Sequence, residues 1–170
     1  MQSKCPVLIV EHHELYNSVG FVPSGNCEYY IQIGKAKRVT EGKDVTVLAY
    51  SSAVGLAKKA AEELSGKGIT AEVIDLRTLN FADVDYETIG TSLCKTNALA
   101  IIEQAPKSNS IGATIAYECQ SRFFDYFDCP PSRLTGLDIP NPVSKVLETA
   151  ALPCLESVKD IIRKTAQRDS

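Results

Sequence analysis

Apolar and polar residues are arranged in repeating blocks along most of this chain. Three apolar runs are short and nearly continuous, at 45–50, 71–76 and 98–103. Runs of this length are typical of strands buried on both faces of a sheet. Between them, apolar residues recur every three to four positions, which predicts amphipathic helices. Strands that alternate with helices predict a mostly parallel sheet covered on both faces, a Rossmann-like three-layer α/β/α sandwich.

The helical pattern is clearest just after the run at 45–50. Ser51 or Ser52 is suited to cap a helix. The apolar positions that follow fall on one face of that helix, at Val54, Ala57, Ala61 and Leu64. Further helices are predicted at 86–95, from 111, near 144–149 and over 155–166. A short fourth parallel strand is predicted at 133–136, and the alternation at 30–33 is typical of an edge strand.

The first 28 residues differ from the rest of the chain. Residues 5–10 have the composition of a short buried strand, whereas residues 11–28 contain the glycine, proline, serine and asparagine that favour loops. This loop separates the first predicted strand from the regular pattern. We therefore expect two parts: a strand and linker at 1–28, and one domain at 29–170.

Composition and charge exclude several classes of protein. With 170 residues, 44% of them hydrophobic and 23% charged, the chain fits one globular domain. Its net charge of −3 lacks the basic excess that nucleic-acid binding requires. The longest apolar run, at 6–10, is too short to cross a membrane, and no secretory signal pattern follows Met1.

The six cysteines are dispersed and form no CxxC pair. That spacing excludes a zinc ribbon or a thioredoxin-type motif. A chain of this length builds a core without disulfides, so we interpret the cysteines as small buried residues in a reducing, intracellular compartment rather than as a disulfide scaffold.

Polar residues collect where the predicted strands end. In open α/β sheets, ligands bind beyond the carboxyl ends of the strands. The residues at these ends are Ser51, Ser52, Asp75, Arg77, Glu103, Gln104 and Asp138. Two interpretations stay open: an active site, or the commoner combination of helix caps and a structural ion pair.

The motifs of catalysis and cofactor binding are missing from the sequence. No GxGxxG follows a strand. His12 and His13 are expected to point to opposite faces of an extended segment, which disfavours a shared metal. No nucleophile has an identifiable base beside it. We therefore assign no catalytic, cofactor-binding or metal-binding residue.

The segment at 136–142, Gly-Leu-Asp-Ile-Pro-Asn-Pro, predicts a rigid surface element. Pro140 and Pro142 fix an extended path, and Asp138 is suited to bond backbone amides in the turn. The segment is either a rigid connector into the next helix or a surface for a partner subunit. The residues alone do not separate these two hypotheses.

Six segments, in order and spacing, resemble the β subunits of thiamine-dependent 2-oxo-acid dehydrogenases. Each segment is weakly specific, but together they cover the chain from about residue 6 to its end. They are PVLIVEHHELYN (6–17), IGKAKRVTEGKDVTVLAYS (33–51), AEVIDLRTLNFADVDYETIGTSLCKTN (71–97), IGATIA (111–116), FDYFDCP (124–130) and GLDIPNP (136–142).

The resemblance implies a specific architecture. Such β subunits have a pyrimidine-binding N-terminal domain followed by a transketolase-type C-terminal domain, a five-stranded sheet with one antiparallel edge strand. We place that edge strand at 30–33. Residues 1–28 would then be the last strand and linker of a missing pyrimidine-binding domain, and 29–170 the C-terminal domain.

The resemblance also implies partners and cofactors. These β subunits join α subunits in an α2β2 tetramer, which decarboxylates a 2-oxo acid with thiamine diphosphate and magnesium. The tetramer passes the product to a lipoyl group of the dihydrolipoyl acyltransferase core. The family's cofactor contacts lie outside this chain, which also has no GDG motif. We therefore expect the chain alone to be inactive and to bear no cofactor.

The expected roles of this chain are subunit assembly and acyltransferase docking. The candidate interface residues are Asp138, Pro140, Pro142, Glu156 and Asp160. Glu156 and Asp160 lie four positions apart, so they share a helix face that is suited to meet basic residues of a partner. A solvated helix face is the alternative.

Departures from the family pattern bear on the substrate. Phe81 stands where a proline is usual, and Thr114 where a glutamate is common. The 11–17 and 111–114 segments are closer to pyruvate-type subunits of plastid and cyanobacterial kind, while Ala105 and Pro106 resemble the branched-chain type. The pyruvate type is our main hypothesis, and the mitochondrial matrix, plastid and bacterial cytoplasm all stay open. A stand-alone, non-enzymatic Rossmann-like binding module is the alternative from another class.

Overall fold

The computed structural model describes residues 6–20, 30–80 and 82–168. Within them, five strands form one mixed sheet in the spatial order β1-β3-β2-β4-β5. The strands are β1 (Lys37–Arg38), β2 (Val45–Ala49), β3 (Ala71–Asp75), β4 (Leu99–Pro106) and β5 (Ser132–Gly136).

The pairing of the strands confirms the predicted parallel sheet. β2 pairs in parallel with both β3 and β4, and β4 pairs in parallel with β5. These are the four strands that the sequence predicts at 45–50, 71–76, 98–103 and 133–136.

The edge strand is antiparallel, as expected, but its predicted position is wrong. β1 pairs with β3, with Lys37 opposite Asp75, whereas residues 30–33 form no strand. A turn at Gly34, whose φ is +79°, separates the two segments. Alternation tells which side chains would share a face. It does not tell which segment reaches the edge of a neighbouring strand.

Five α-helices flank the sheet in the described residues, and all five predicted helices are confirmed. They are α1 (Ser52–Ser65), α2 (Tyr86–Thr96), α3 (Ile111–Phe123), α4 (Lys145–Ala151) and α5 (Leu155–Gln167). α2 shows its local signals well: the Asp85 carboxylate accepts a bond from the Thr88 amide, and Asn97 ends the helix in the left-handed region. No described helix is long and apolar enough to cross a membrane.

The core divides into two layers because successive strand residues point to opposite faces. Val45, Val47 and Ala49 pack with α1 and α5 on one face of the sheet. Leu48, together with Ile74, packs with α2 and α3 on the other. All five side chains are fully buried. Because both faces of these strands are covered, their sequences are continuous apolar runs.

The N-terminal residues do not form the strand that the sequence predicts. Residues 6–10 have no strand pairing, and the side chains of Leu8 and Val10 are 89% and 85% exposed. The run has strand composition, but no described backbone lies beside it to complete a ladder. Cys5 and part of the predicted loop, residues 21–28, lie outside the described residues.

Candidate functional site

The strand order creates a crevice at the carboxyl edge of the sheet. From β2 the chain moves outward to β3, and α2 then carries it back across to β4 on the other side of β2. The carboxyl ends of β2 and β4 therefore flank the point where the direction of winding reverses. Ligands of open α/β sheets bind at such points.

A cavity of about 540 Å³ lies at this crevice. Of the residues predicted to collect here, Ser51, Arg77 and Gln104 line it. The wall is completed by Tyr50 after β2, by Leu79 of the β3–α2 loop, and by five residues of the N-terminal segment, namely Val10, Glu11, His12, Leu15 and Tyr16. Asp138 does not line this cavity, so the predicted cluster is only partly assembled.

The turn from β2 into α1 is tightly constrained. Ser51 has φ +57° and ψ −137°, a conformation that costs a residue with a side chain of order 1–3 kcal/mol. Ser51 stands at the capping position of α1, but its hydroxyl makes no capping hydrogen bond. This backbone conformation reverses the direction of the chain at a single residue, so that α1 begins directly at the crevice.

His12 joins the N-terminal segment to the crevice. Its Nε2 lies 2.8 Å from Oε1 of Gln104 and 3.4 Å from Oγ of Ser52. Its Nδ1 is buried, lies 4.0 Å from a carboxylate oxygen of Glu14 and has no hydrogen-bond partner among the described residues. The sequence did not predict this contact, because the partners are 92 and 40 residues away.

The expectation that His12 and His13 face opposite ways is wrong. Their rings are nearly parallel, 10° apart in orientation and with centroids 5.8 Å apart. The reason is local: residues His13–Asn17 form a turn of 3-10 helix, not an extended strand. The described residues contain no group of three side chains suited to hold a metal ion.

Glu103 is the centre of a buried ionic network beside the crevice. Its carboxylate is fully buried and accepts bonds from Ser110 Oγ at 2.8 Å, the Gly112 amide at 3.1 Å and Arg133 Nη2 at 3.0 Å. Tyr50 donates a fourth bond at 3.2 Å. Burial and the adjacent carboxylate raise the pKa of Tyr50 well above its usual value. Of the two interpretations of the polar residues at the strand ends, an active site or a structural ion pair, the network favours the ion pair.

Arg133 and Tyr50 are not among the residues that the sequence predicts for this site. Arg133 is a charged residue inside a predicted strand, and such a residue is a signal for a buried partner. Nothing in the sequence identifies that partner, because Glu103 lies on the neighbouring strand, 30 positions away.

The Asp138 carboxylate is hydrogen-bonded to the loop before α3. Its carboxylate accepts bonds from both the amide and the hydroxyl of Ser108, each at 2.9 Å. These bonds lower the pKa of Asp138. Asp138 thus ties the loop that precedes α3 to the segment that follows β5. Pro140 is exposed and Pro142 partly exposed beyond it.

An exposed apolar surface follows this segment. α4 has no buried residue. The large apolar side chains that are exposed here are Leu137, Ile139, Val143, Val146 and Leu147.

The acidic residues of α5 are already paired within their own helix. Glu156 lies 2.6 Å from the Lys159 ammonium, and Asp160 pairs with Arg163 and with Lys164, the latter at 2.9 Å. The bond from Lys164 lowers the pKa of Asp160, more than burial raises it. The face is therefore balanced in charge, and less acidic than Glu156 and Asp160 by themselves suggest.

Comparison with known proteins agrees with this architecture. Residues 34–158 match the family described as transketolase, C-terminal domain. The chain belongs to this family. It is also 39% identical, over 96% of its length, to the mitochondrial pyruvate dehydrogenase E1 component subunit beta of Dictyostelium discoideum, and 41% identical, over 93% of its length, to subunit beta-2 of Oryza sativa subsp. japonica.

This transketolase C-terminal domain chain spans less than half the length of those relatives, 46% and 41% respectively. Its fold is also similar to that of a split-gene transketolase, solved as an inactive β4 tetramer. That match has a TM-score of 0.70 and 21% identity, and covers 89% of this chain and 47% of that one. At such identity, the likeness concerns the fold alone.

Proposed function

We propose that this chain is the C-terminal domain of a pyruvate dehydrogenase β subunit and that it serves subunit assembly and acyltransferase docking. The observation that supports this most is the identity of 35–41% to pyruvate dehydrogenase β subunits over more than nine-tenths of the chain. The names of these relatives support pyruvate over a branched-chain 2-oxo acid. They also support an enzyme subunit over a stand-alone binding module.

The described residues do not fit thiamine diphosphate or magnesium. The carboxylates in and beside the crevice already have partners: Glu103 accepts four bonds, Asp75 pairs with Arg77, and Glu11 accepts a bond from the Tyr16 hydroxyl. Magnesium prefers carboxylates that are open to it and to the phosphates that it holds. We therefore place decarboxylation on the remaining length of the β subunit and on an α subunit.

The N-terminal segment supports the presence of a neighbouring domain. Large apolar side chains between residues 8 and 19 are exposed, and so are Tyr30, Ile31 and Ile33. Exposed apolar clusters are typical of surfaces that another domain or subunit covers. We propose that a pyrimidine-binding domain packs there, and that two such β subunits join two α subunits in an α2β2 assembly.

We propose a reducing, intracellular compartment for this assembly. In the described part of the chain, Cys94, Cys119, Cys129 and Cys154 are all free thiols, which is typical of such a compartment.

The assignment is tested by activity in the presence and absence of the partners. The chain alone, given pyruvate, thiamine diphosphate, magnesium and an artificial electron acceptor, is expected to show no turnover. Joined to the pyrimidine-binding half of a pyruvate dehydrogenase β subunit and co-expressed with the α subunit, it is expected to assemble and to decarboxylate pyruvate in preference to branched-chain 2-oxo acids. Turnover by the isolated chain that a substitution in it abolishes contradicts the proposal.

We propose further that the surface of residues 137–147, together with the α5 face, docks the acyltransferase. Its test is calorimetry with the acyltransferase's subunit-binding domain at low and moderate salt. Glu156→Lys with Asp160→Lys turns the charge-balanced face strongly basic and is expected to weaken binding and to change its dependence on salt. If the complex forms and the double variant changes neither quantity, α5 is not the docking site.

A further inference from the structure

The N-terminal segment 10–16 forms one wall of the crevice in which this fold class ordinarily binds a ligand. Five of its residues line the cavity opposite the ends of β2 and β4. The segment therefore stands, along the sheet edge, in the position that a bound molecule would take in an open α/β sheet.

A single side chain connects this segment to the sheet. Among the described residues, the hydrogen bonds from segment 10–16 to the rest of the domain all come from His12, which reaches Gln104 at 2.8 Å and Ser52 at 3.4 Å. Gln104 belongs to β4 and Ser52 begins α1. His12 thus bridges two of the elements that flank the reversal of strand order.

The receiving side of the bridge belongs to the sheet. Gln104 lies in β4, beyond Ile102, the last β4 residue that pairs with β2, and within the irregularity between Ile102 and Pro106 in the pairing with β5. A Cβ added to Gly136 would lie 2.5 Å from the Gln104 carbonyl oxygen, so β5 packs closely against this residue. The backbone that carries the acceptor for His12 therefore belongs to the sheet and not to the segment.

The segment also has internal order of its own. The Leu15 amide donates to the His12 carbonyl at 2.9 Å, and the Tyr16 hydroxyl donates to Glu11 at 2.9 Å. The turn that presents His12 is thus closed by local bonds, so docking requires little further ordering of its backbone.

We propose that the crevice is a binding site for the chain's own residues 10–16, with His12 as the anchor. The bridge acts locally: it holds the segment on the sheet edge and contributes little to the stability of the sheet.

Limited chymotrypsin digestion of the 170-residue chain tests the proposal. Chymotrypsin cleaves after Leu15 and Tyr16, whose side chains are 43% and 68% exposed. Cleavage there requires the 3-10 turn His13–Asn17 to open into an extended strand, and loss of the His12 bridge to the sheet edge favours that opening. His12→Ala and Gln104→Leu each remove one half of the bridge. Each is expected to speed cleavage at these two sites about fivefold, the effect of losing one net hydrogen bond. Mass spectrometry of the fragments identifies each cut.

Three controls separate docking from general instability. His13→Ala removes the neighbouring, exposed imidazole and is expected to leave cleavage unchanged. Gln104→Glu keeps an acceptor for His12 and is expected to retain slow cleavage. His12→Ala with Gln104→Leu is expected to match His12→Ala alone, because His12→Ala already removes both contacts of the bridge.

Each contrary result overturns the proposal. If chymotrypsin cleaves the His12→Ala variant no faster than the His13→Ala variant, the His12 imidazole is not the anchor. A double variant that multiplies the two single effects means that the residues act independently. Equal acceleration at sites throughout the chain means that His12 stabilises the whole domain instead of docking the segment.

Discussion

Replacing Arg133 by methionine tests the central feature of the carboxyl edge, the buried carboxylate of Glu103. The Arg133 side chain is 19% exposed and Glu103 is fully buried. Methionine keeps most of the volume of arginine but removes its charge. Glu103 then keeps only three neutral donors, from Ser110, Gly112 and Tyr50.

The cost follows from leaving a buried charge without its counter-ion. Breaking one side of a buried ion pair typically costs 3–5 kcal/mol. The remaining donors and the partial exposure of Arg133 place the expected value at the lower end, about 3 kcal/mol. In a chain of this length, that corresponds to a fall in Tm of roughly 6–12 °C.

Urea unfolding followed by circular dichroism is the assay, because the chain has no tryptophan. Arg163→Met is the matched control: its side chain is 53% exposed and pairs with Asp160 on the helix surface, so the expected cost is below about 0.5 kcal/mol. Arg133→Met combined with Glu103→Gln removes the isolated charge and is expected to recover much of the loss. If Arg133→Met costs no more than Arg163→Met, or if the double variant recovers nothing, the network does not have the role that we assign to it.

Three further predictions concern local features of the fold. Gly42→Ala is expected to destabilise the domain, because its Cβ would lie 2.3 Å from the Ala71 backbone. Gly55→Ala, on an open helix face, is expected to stabilise the domain by about 0.5–1 kcal/mol. Urea unfolding of both variants checks this prediction, since the free energy of unfolding should fall in the first and rise in the second. Burial raises the pKa of Asp85, but bonds from Thr88 and Ala36 outweigh it and lower the pKa below 3.8. The stability that this carboxylate contributes is therefore present above that pH and is lost as the pH falls through the folded-state pKa. Asp85→Asn keeps a capping oxygen but removes the charge that strengthens the bonds from Thr88 and Ala36, so it should cost about 1 kcal/mol at pH 7 and progressively less below pH 3.8. Equal costs at pH 7 and below pH 3.8 would contradict this assignment. Burial raises the pKa of the Cys119 thiol to about 12, whereas a bond with Ser157 lowers that of the exposed Cys154, so peptide mapping after iodoacetamide treatment should find Cys154 alkylated first and Cys119 last of the four described thiols.

The sequence by itself determined the layered fold and the order of its elements. Residues 45–50 and 98–103 are apolar on both sides, so they had to be strands buried between two layers of helices. The three-to-four-residue period after Ser52 and after Leu155 fixed the helices and their inward faces. These signals are local, because each is contained within one segment of the chain. The corresponding strands and helices lie within a few residues of their predicted positions.

Tertiary structure alone decided the pairings between distant segments. The edge strand formed at Lys37–Arg38 and not at 30–33, because pairing depends on which backbone reaches β3. Glu103 forms its ion pair with Arg133, and His12 forms a hydrogen bond with Gln104, which is 92 positions away in the sequence. A polar residue in the sequence shows that it needs a partner when buried, but not which one. The partner is selected by the order of the strands, and that order is set by packing over the whole domain.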